Sequence, residues 1–284
     1  MKDKVKIVTS MLIFGSIGVF IRHIYLSSLE IAFLRATIGS LFMLGVVCFL
    51  YKKISYDLLR RNMLILALSG ATLGFNWICL FQAYKFTTVS IATFSYYFAP
   101  IFVIILSPIV LKEKLTLTKM MTIALAMLGL FLILNTGQNQ LSSSYNHLLG
   151  IFYGLLGAIF YAGVILMNKF IKDLSGFETT LVQLIASAVV LLPAILFQDT
   201  LNINAISFKS WMLIFVVGVI HTGLAYLLYF TAIKGLKGHS IAILSYIDPV
   251  FAIVCSYFFL NEVLTLAQII GGALILIAAF ISER

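Results

Sequence analysis

Two ionisable side chains, His221 and Asp248, stand inside long apolar stretches of the sequence. A charged group within lipid costs about 2.5–3.5 kcal/mol on insertion scales, so such residues are functional candidates. Histidine titrates near neutrality, and an aspartate beside it can hold a proton, an amine or a sodium ion. We predict that both residues face one central cavity and form a coupling or substrate-anchoring pair. The alternative is that each only caps backbone groups, Asp248 doing so where Pro249 lacks an amide donor.

Two prolines, Pro100 and Pro249, stand at matching places in two apolar stretches. A proline frees a backbone carbonyl and bends a helix. Freed carbonyls at membrane depth are tolerated only against protein or a wet cavity. The prolines therefore predict the depth of a binding site, or else they simply kink two packed helices.

Polar-tipped aromatic and amide side chains gather in the same stretches. Rings with a hydrogen-bonding tip suit an amphipathic or cationic ligand. We expect about half of them to touch the ligand and the others to belong to the aromatic belts at the membrane surfaces. The set is Asn76, Trp77, Tyr96, Tyr97, Tyr161, Tyr226, Tyr229 and Tyr246.

Two arginines, Arg22 and Arg35, fall toward the ends of the first two apolar stretches. Their planar forks can bind a carboxylate, so Arg35 is counted with the candidate substrate-binding residues. The alternative is that the arginines snorkel to the membrane surface or pair with Glu30. Glu113 and Glu262 fall at helix ends and are interpreted as turn or cap residues.

The composition places these residues in a membrane protein. The chain has 284 residues, of which 62% are hydrophobic and 10% are charged, whereas soluble domains are about 45–50% apolar and about 25% charged. A spanning helix needs about 20 mostly apolar residues, and this template fits ten times. The predicted fold is an all-α integral membrane protein with ten transmembrane helices, at roughly 5–25, 28–51, 62–84, 88–111, 117–135, 148–168, 176–197, 210–232, 238–260 and 264–282.

The basic residues predict the orientation of these helices, because Lys and Arg collect in cytoplasmic connections. Of the nineteen, fifteen lie in the connections on one face, three lie on the other, and Arg35 lies within the second span. The N- and C-termini are therefore expected in the cytoplasm of a multi-pass protein of the cell membrane. The net charge of +9 then reflects topology, and no nucleic-acid partner is expected.

The two halves of the chain resemble each other, which predicts a first five-helix repeat at 1–140 and a second at 141–284. Because each unit has an odd number of helices, the second copy must be inverted relative to the first. Inverted repeats allow one central site to open to either side in turn. The matching segments are 74–85 with 223–234, 90–96 with 240–246, 111–117 with 260–266 and, more weakly, Glu30 to Arg35 with Glu178 to Gln183.

With these features the chain resembles the EamA-type, ten-helix branch of the drug/metabolite transporter superfamily. The resemblance implies secondary transport, commonly export, of amino acids or other small metabolites through a cavity lined by spans 1, 3, 4, 6, 8 and 9. Phe14 stands where the family often has a tryptophan. The residues behind the likeness are 14–16 (Phe-Gly-Ser), 33–35 (Phe-Leu-Arg), 100–113 and 249–262.

The sequence offers no catalytic or phosphate-binding motif, so an enzyme is not expected, and no cofactor is expected beyond coupling to protons. A lipid-type flippase or a facilitative channel is the alternative to a secondary transporter of a small molecule. Membrane lipid is the expected surrounding partner. Small-residue runs at 124–126 and 271–273 predict close helix contacts, either inside the bundle or at a homodimer face.

Overall fold

A computed structural model describes residues 2–49, 55–112, 116–137, 145–198, 206–233, 244–245 and 247–282. Within these ranges the chain is helical and contains no strands. The helices are α1 Lys2–Arg22, α2 Ser28–Phe49, α3 Tyr56–Phe86, α4 Val89–Tyr96, α5 Ala99–Val110, α6 Leu117–Gly137, α7 His147–Asn168, α8 Gly176–Gln198, α9 Phe208–Val216, a π-helical segment Val217–Leu224, α10 Ala225–Ile233, α11 Ile247–Leu260 and α12 Leu266–Ser282.

Seven helical stretches in the described residues are long and apolar enough to cross a membrane, and three shorter apolar helices lie within α6, α11 and α12. Each predicted span overlaps one of these stretches, and the number of membrane crossings stays a prediction. Many large apolar side chains point outward, including Phe49 at 85% and Phe197 at 89% exposure. Such a surface requires lipid as its solvent.

The predicted fourth span is one apolar stretch that contains a helix break, at residues 97–98. Helix α4 ends at Tyr96, and Pro100 occupies the first turn of α5. Proline has no amide donor, so it fits at a helix start but breaks a helix interior. Pro249 likewise lies in the first turn of α11, where it is buried. Pro100 therefore follows a helix break inside one apolar stretch, Val89–Val110, which agrees with the prediction that this proline interrupts the fourth span.

Two helix starts that the repeat aligns share the same capping box. In the first, the Ser27 amide donates to Glu30 at 2.5 Å while the Glu30 amide donates to the Ser27 hydroxyl at 3.1 Å. In the second, the Ser175 amide donates to Glu178 at 3.0 Å, and the Glu178 amide donates to the Ser175 hydroxyl at 3.2 Å. These reciprocal bonds satisfy the free amides that begin α2 and α8.

Packing joins the two halves throughout the bundle. Helix α3 packs against α7 and α8, α1 packs against α10 and α11, and α6 packs against α12. The last contact is closest at Gly129 and Gly271, where a Cβ added to either glycine would lie 2.5 Å from the backbone oxygen of the other. The Gly271 end of the small-residue run therefore packs inside the bundle.

The α6–α12 contact predicts a large effect of one methyl group. Gly271→Ala should lower the free energy of unfolding by about 1–3 kcal/mol, because its Cβ overlaps rigid backbone. Gly45→Ala is the matched control, since no atom lies within 4 Å of its added Cβ. Thermal unfolding in detergent measures both variants. Equal midpoints for the two would show that this packing does not exist.

Candidate substrate-binding site

The π-helical segment Val217–Leu224 forms one wall of the candidate site. Its wider turn is closed by Thr222, whose hydroxyl donates to the Val217 carbonyl five residues earlier at 2.9 Å. Helix α2 fits against it because Gly218 and Gly223 leave room for Ile38 and Phe42. Interruptions of this kind inside α-helices are frequent at functional sites. The sequence predicts an ordinary α-helix at 210–232, and its glycines alone do not reveal the π-helical segment.

His221 projects from the π segment toward α1. Its Nε2 lies 3.0 Å from the Ser16 hydroxyl, and its ring meets Phe20 edge-on at 4.7 Å between centroids. The Ser16 hydroxyl also donates to the Ile13 carbonyl at 2.8 Å. The His221 Nδ1 is buried and, among the described residues, forms no hydrogen bond of ordinary geometry.

Asp248 lies at the start of α11 and contacts the same part of α1. A Cβ at Gly15 would lie 2.5 Å from the Asp248 backbone oxygen, which shows how closely the two helices approach. The Asp248 carboxyl lies beside the Tyr97 side chain. Within the described residues, no hydrogen bond joins it to His221. His221 is turned toward Ser16 and Phe20 while Asp248 has a tyrosine beside it, so the two approach α1 separately, and their pairing in coupling or substrate binding stays a prediction.

Arg35 is buried inside the bundle, at 3% exposure. Its Nε donates to the Thr222 hydroxyl at 3.0 Å, and its guanidinium carbon lies 4.2 Å from the centre of the Trp77 ring and 5.3 Å from that of Phe81. The Glu30 carboxylate instead accepts a hydrogen bond from the Ser27 amide in its capping box. Snorkelling or pairing with Glu30, the alternative drawn from sequence, is therefore wrong for Arg35.

The aromatic set forms a connected group around these charges. The Asn76 amide donates to the Gly157 carbonyl at 2.7 Å and lies 3.3 Å from the Tyr96 hydroxyl. Tyr96 stacks on Tyr161 at 5.5 Å between ring centroids and meets Tyr97 edge-on at 6.3 Å. Asn76 therefore fixes the orientation of a row of tyrosines between α3, α4 and α7.

The other predicted aromatics are less uniform. Tyr226 packs edge-on against Phe14 at 5.2 Å, beside the charged residues, whereas Tyr229 packs against a small apolar cluster with Ile7 and Met11. Tyr246 lies outside the described residues. Asp248, Tyr96, Tyr97 and Tyr226 lie deep among the helices yet each retains surface accessible to water. This combination is expected of side chains that line an internal cavity.

Tyr84 adjoins the candidate site, although the sequence patterns did not select it. It lies within electrostatic range of both Arg35 and Asp248 and also lines a surface cavity of about 590 Å³. That cavity is bordered by Arg22, Lys85 and Glu30 at the adjoining ends of α1, α2 and α3. Tyr84 thus lies between a polar surface depression and the buried charges. Its place next to Lys85 at a helix end gave no sequence signal.

A polar network near this cavity ties the two halves together. The Glu262 carboxylate accepts from the amides of Val89 and Ser90 at 2.7 and 3.1 Å, and lies 3.7 Å from Arg22. Arg22 also donates to the Thr87 carbonyl. Glu262 therefore caps α4, a helix of the other half, which confirms the interpretation of this glutamate as a cap. Its repeat partner Glu113 lies outside the described residues.

The apolar helices with charged and aromatic side chains in their interior define a multi-pass helical membrane protein. No group of three or more His, Cys, Asp or Glu side chains within the described ranges is placed to hold a metal ion. The profile of the EamA-like transporter family matches residues 5–135 and 148–283. The chain therefore belongs to this family of the drug/metabolite transporter superfamily, whose members are transporters of the cell membrane and not enzymes.

Several relatives cover nearly the whole chain. An uncharacterized transporter, YxxF, of Bacillus subtilis is 36% identical over 95% of this chain and 86% of its own length. An uncharacterized transporter of Archaeoglobus fulgidus is 29% identical over 98% of this chain and 95% of its own length. The pseudopaline exporter CntI of Pseudomonas aeruginosa is 25% identical over 91% of this chain and 87% of its own length. A crystal structure of a protein with 16% identity matches 99% of this chain and 96% of that chain with a TM-score of 0.64, which shows a shared fold.

The Glu262 network predicts a specific loss of stability. Glu262→Ala leaves two amides of α4 without their acceptor, so we expect a loss of about 0.5–2 kcal/mol in the free energy of unfolding. Asp3→Asn is the control, because it removes a partly exposed ion pair with Lys6 near the start of α1, and such pairs contribute little. Differential scanning fluorimetry of the purified proteins compares the two. A Glu262→Ala midpoint within error of the parent would contradict the cap.

Proposed function

We propose that this protein is a ten-helix secondary active transporter that exports small metabolites, amino acids or related amphipathic and cationic compounds, across the cell membrane. The observation behind the proposal is the interior site itself. Asp248 and Arg35 lie among tyrosines deep within an apolar bundle. Ionisable side chains are costly at such places, and those found there generally serve binding or transport. Family membership supplies the transport activity, and this site supplies a place to hold the cargo.

Alternating access is supported by the duplicated organisation of the chain. The family profile matches the two halves separately, and the aligned helices α2 and α8 begin with the same capping box. An odd number of spans in each half would invert one against the other, as in transporters that expose one site to each face in turn. The Glu262 network then acts as a closure between the halves on one face, and its opening releases cargo through the cavity beside Tyr84.

Export is supported by the relative that is named as the pseudopaline exporter. Proton coupling is supported by the chemistry of the site, in which the Asp248 backbone approaches α1 at Gly15 and the His221 Nε2 contacts α1 at Ser16. A proton taken up by either group changes the charge presented to a ligand. Cargo binding and proton binding would then compete or cooperate through the same wall of the site.

The transport test uses purified protein in liposomes with a panel of amino acids and small amines, with and without a proton gradient. We expect saturable, gradient-dependent uptake that Asp248→Asn abolishes, because the variant cannot carry the charge. Asp173→Asn is the matched control, since Asp173 is exposed in a turn with positive φ, a conformation that asparagine tolerates. It should transport normally.

Three other outcomes separate the alternatives. Uptake unaffected by the gradient would indicate facilitated diffusion or exchange, and would contradict proton coupling. Full activity of Asp248→Asn at normal expression would remove Asp248 from the mechanism. Absence of uptake of every compound would contradict metabolite transport and favour a flippase, to be measured with fluorescent lipids in the same vesicles.

A further inference from the structure

One glutamate joins the two halves of the chain at the end of the bundle where α3 and α8 begin. The Glu178 carboxylate uses Oε2 for its own capping box, and its Oε1 accepts a hydrogen bond from the Ser55 amide at 3.0 Å. Ser55 is the N-cap residue of α3, and its side chain forms no cap hydrogen bond. Glu178 therefore serves the start of two helices, α8 in its own half and α3 in the other.

A second contact holds the same two segments together. The Asn62 side-chain nitrogen donates to the Lys172 carbonyl at 3.1 Å, and the Asn62 side-chain oxygen accepts from the Lys172 amide at 3.2 Å. Asn62 is buried in α3, and Lys172 lies in the connection between α7 and α8. With the bond from Ser55, three hydrogen bonds join the halves here. The predicted orientation places this contact at the cytoplasmic end of the bundle.

The repeat places Glu30 at the corresponding position of the outer end. Glu30 with Ser27 forms the same capping box as Glu178 with Ser175. Helix α9, which opens the stretch that corresponds to α3, also begins after a serine N-cap, Ser207. In the described part of the chain, however, the Glu30 carboxylate accepts a hydrogen bond from the Ser27 amide alone, and the Ser207 amide has no acceptor. The outer counterpart of the Glu178–Ser55 bond is therefore not formed.

An open cavity lies where that outer contact would form. Glu30 lines it together with the α1–α2 connection from Ile24 to Ser27, and so does Ile206, the residue directly before the α9 cap. The volume of this cavity is about 590 Å³. Helix α2 packs mainly against the π segment and much less against α9. The outer end is thus open at the position where the cytoplasmic end is closed.

Both N-cap serines are exposed, which suits bonds that must break and form again. Ser55 and Ser207 reach water at the ends of the bundle, so water can replace the carboxylate when either bond opens. The net contribution of one such hydrogen bond corresponds to a roughly two- to tenfold change in an equilibrium constant. A bond of this strength biases a conformational equilibrium without making it irreversible.

We propose that Glu178 and Glu30 are paired latches that close opposite ends of the transporter in turn. In this structure Glu178 binds the Ser55 amide and holds the cytoplasmic end closed. Because inverted repeats exchange conformations between the two faces, Glu30 accepts from the Ser207 amide in the alternate state and closes the outer cavity. The inference rests on the proposed function and adds to it the residues that close each end.

Proline substitutions remove each latch amide and leave both capping boxes intact. Ser55→Pro and Ser207→Pro delete the N–H donor, and the φ angles of −86° at Ser55 and −61° at Ser207 lie near the proline value of about −65°. Ser55→Ala and Ser207→Ala are the matched controls, because alanine also lacks the hydroxyl but keeps the amide. The effect of a latch is therefore the difference between proline and alanine at one position.

A single cysteine at the cytoplasmic end reports whether that end is open. Thr180→Cys is introduced after the three native cysteines are replaced by alanine. Thr180 is buried in α8, one turn before Gln183, which contacts Ser69 of α3. The protein is purified into lipid nanodiscs, where both ends are accessible, and the rate of labelling by a hydrophilic maleimide is measured.

The two prolines should change this labelling rate in opposite directions. We expect Ser55→Pro to label roughly two- to tenfold faster than Ser55→Ala, because the closed cytoplasmic end loses its latch. Ser207→Pro should label slower than Ser207→Ala by a similar factor, because the alternate state loses its outer latch. General loosening of the bundle by Ser207→Pro could not slow labelling at the opposite end, so a purely structural role is separated from the latch.

A second variant covers the case in which Ser55→Pro does not fold. Asn62→Ala removes both bonds to Lys172 and should also accelerate labelling of Thr180→Cys. Asp57→Ala is its control, since Asp57 is exposed in the first turn of the same helix, and it should label at the parent rate.

The inference is overturned if Ser55→Pro and Asn62→Ala label no faster than their controls, or if Ser207→Pro labels as fast as Ser207→Ala. Labelling needs no cargo, so these results are independent of the transport test. Normal liposome uptake with unchanged labelling would support the transporter and refute the latches. Opposite labelling shifts without any uptake would support the latches and refute the proposed transport of the compounds tested.

Discussion

Lipid cannot hydrogen-bond, and this constraint governs every part of the molecule. Backbone groups in an apolar solvent must be paired within their own segment, which makes helices the available element. Where the helices begin or break, side chains provide the missing partners: Glu30 and Glu178 at two aligned starts, Glu262 at α4. Thr222 closes the wider turn of the π segment. Each of these places therefore has an identified partner, and the partner of α4, Glu262, belongs to the other half of the chain.

The same constraint explains why the few charged side chains inside the bundle are functional candidates. In a soluble protein an aspartate or arginine within the fold can be reached by water, but here burial among apolar helices makes each charge expensive. Arg35 on Trp77 and Asp248 beside Tyr97 therefore stand out from the exposed lysines at helix ends, such as Lys2 and Lys112, which bear no such cost. The contrast with Gln183, satisfied by Ser69 and Asn168, separates what the fold requires from what the site adds.

The two halves are alike in framework and different in chemistry. Capping boxes and proline-initiated helices recur at corresponding places, because they solve the same backbone problem in each copy. The charges do not recur, since Arg35 corresponds to Gln183 and Asp248 has no acidic counterpart before Pro100. On the proposed function, a repeated framework would let the halves exchange conformations, while the unrepeated residues would orient a ligand between them. Close glycine contacts such as Gly129 with Gly271 hold α6 against α12.

The sequence alone determined the membrane class, the helical stretches and the family, because hydrophobic length and the order of motifs are local properties of the chain. It also singled out Asp248, His221, Arg35 and the aromatic set as candidates, since polar groups in apolar stretches are conspicuous. Tertiary structure decided which of these groups meet: His221 turns to Ser16, Arg35 lies on Trp77, and Tyr84 joins the site from a helix end. Those contacts depend on the π segment and on helices far apart in sequence, and no local pattern encodes how such helices face one another.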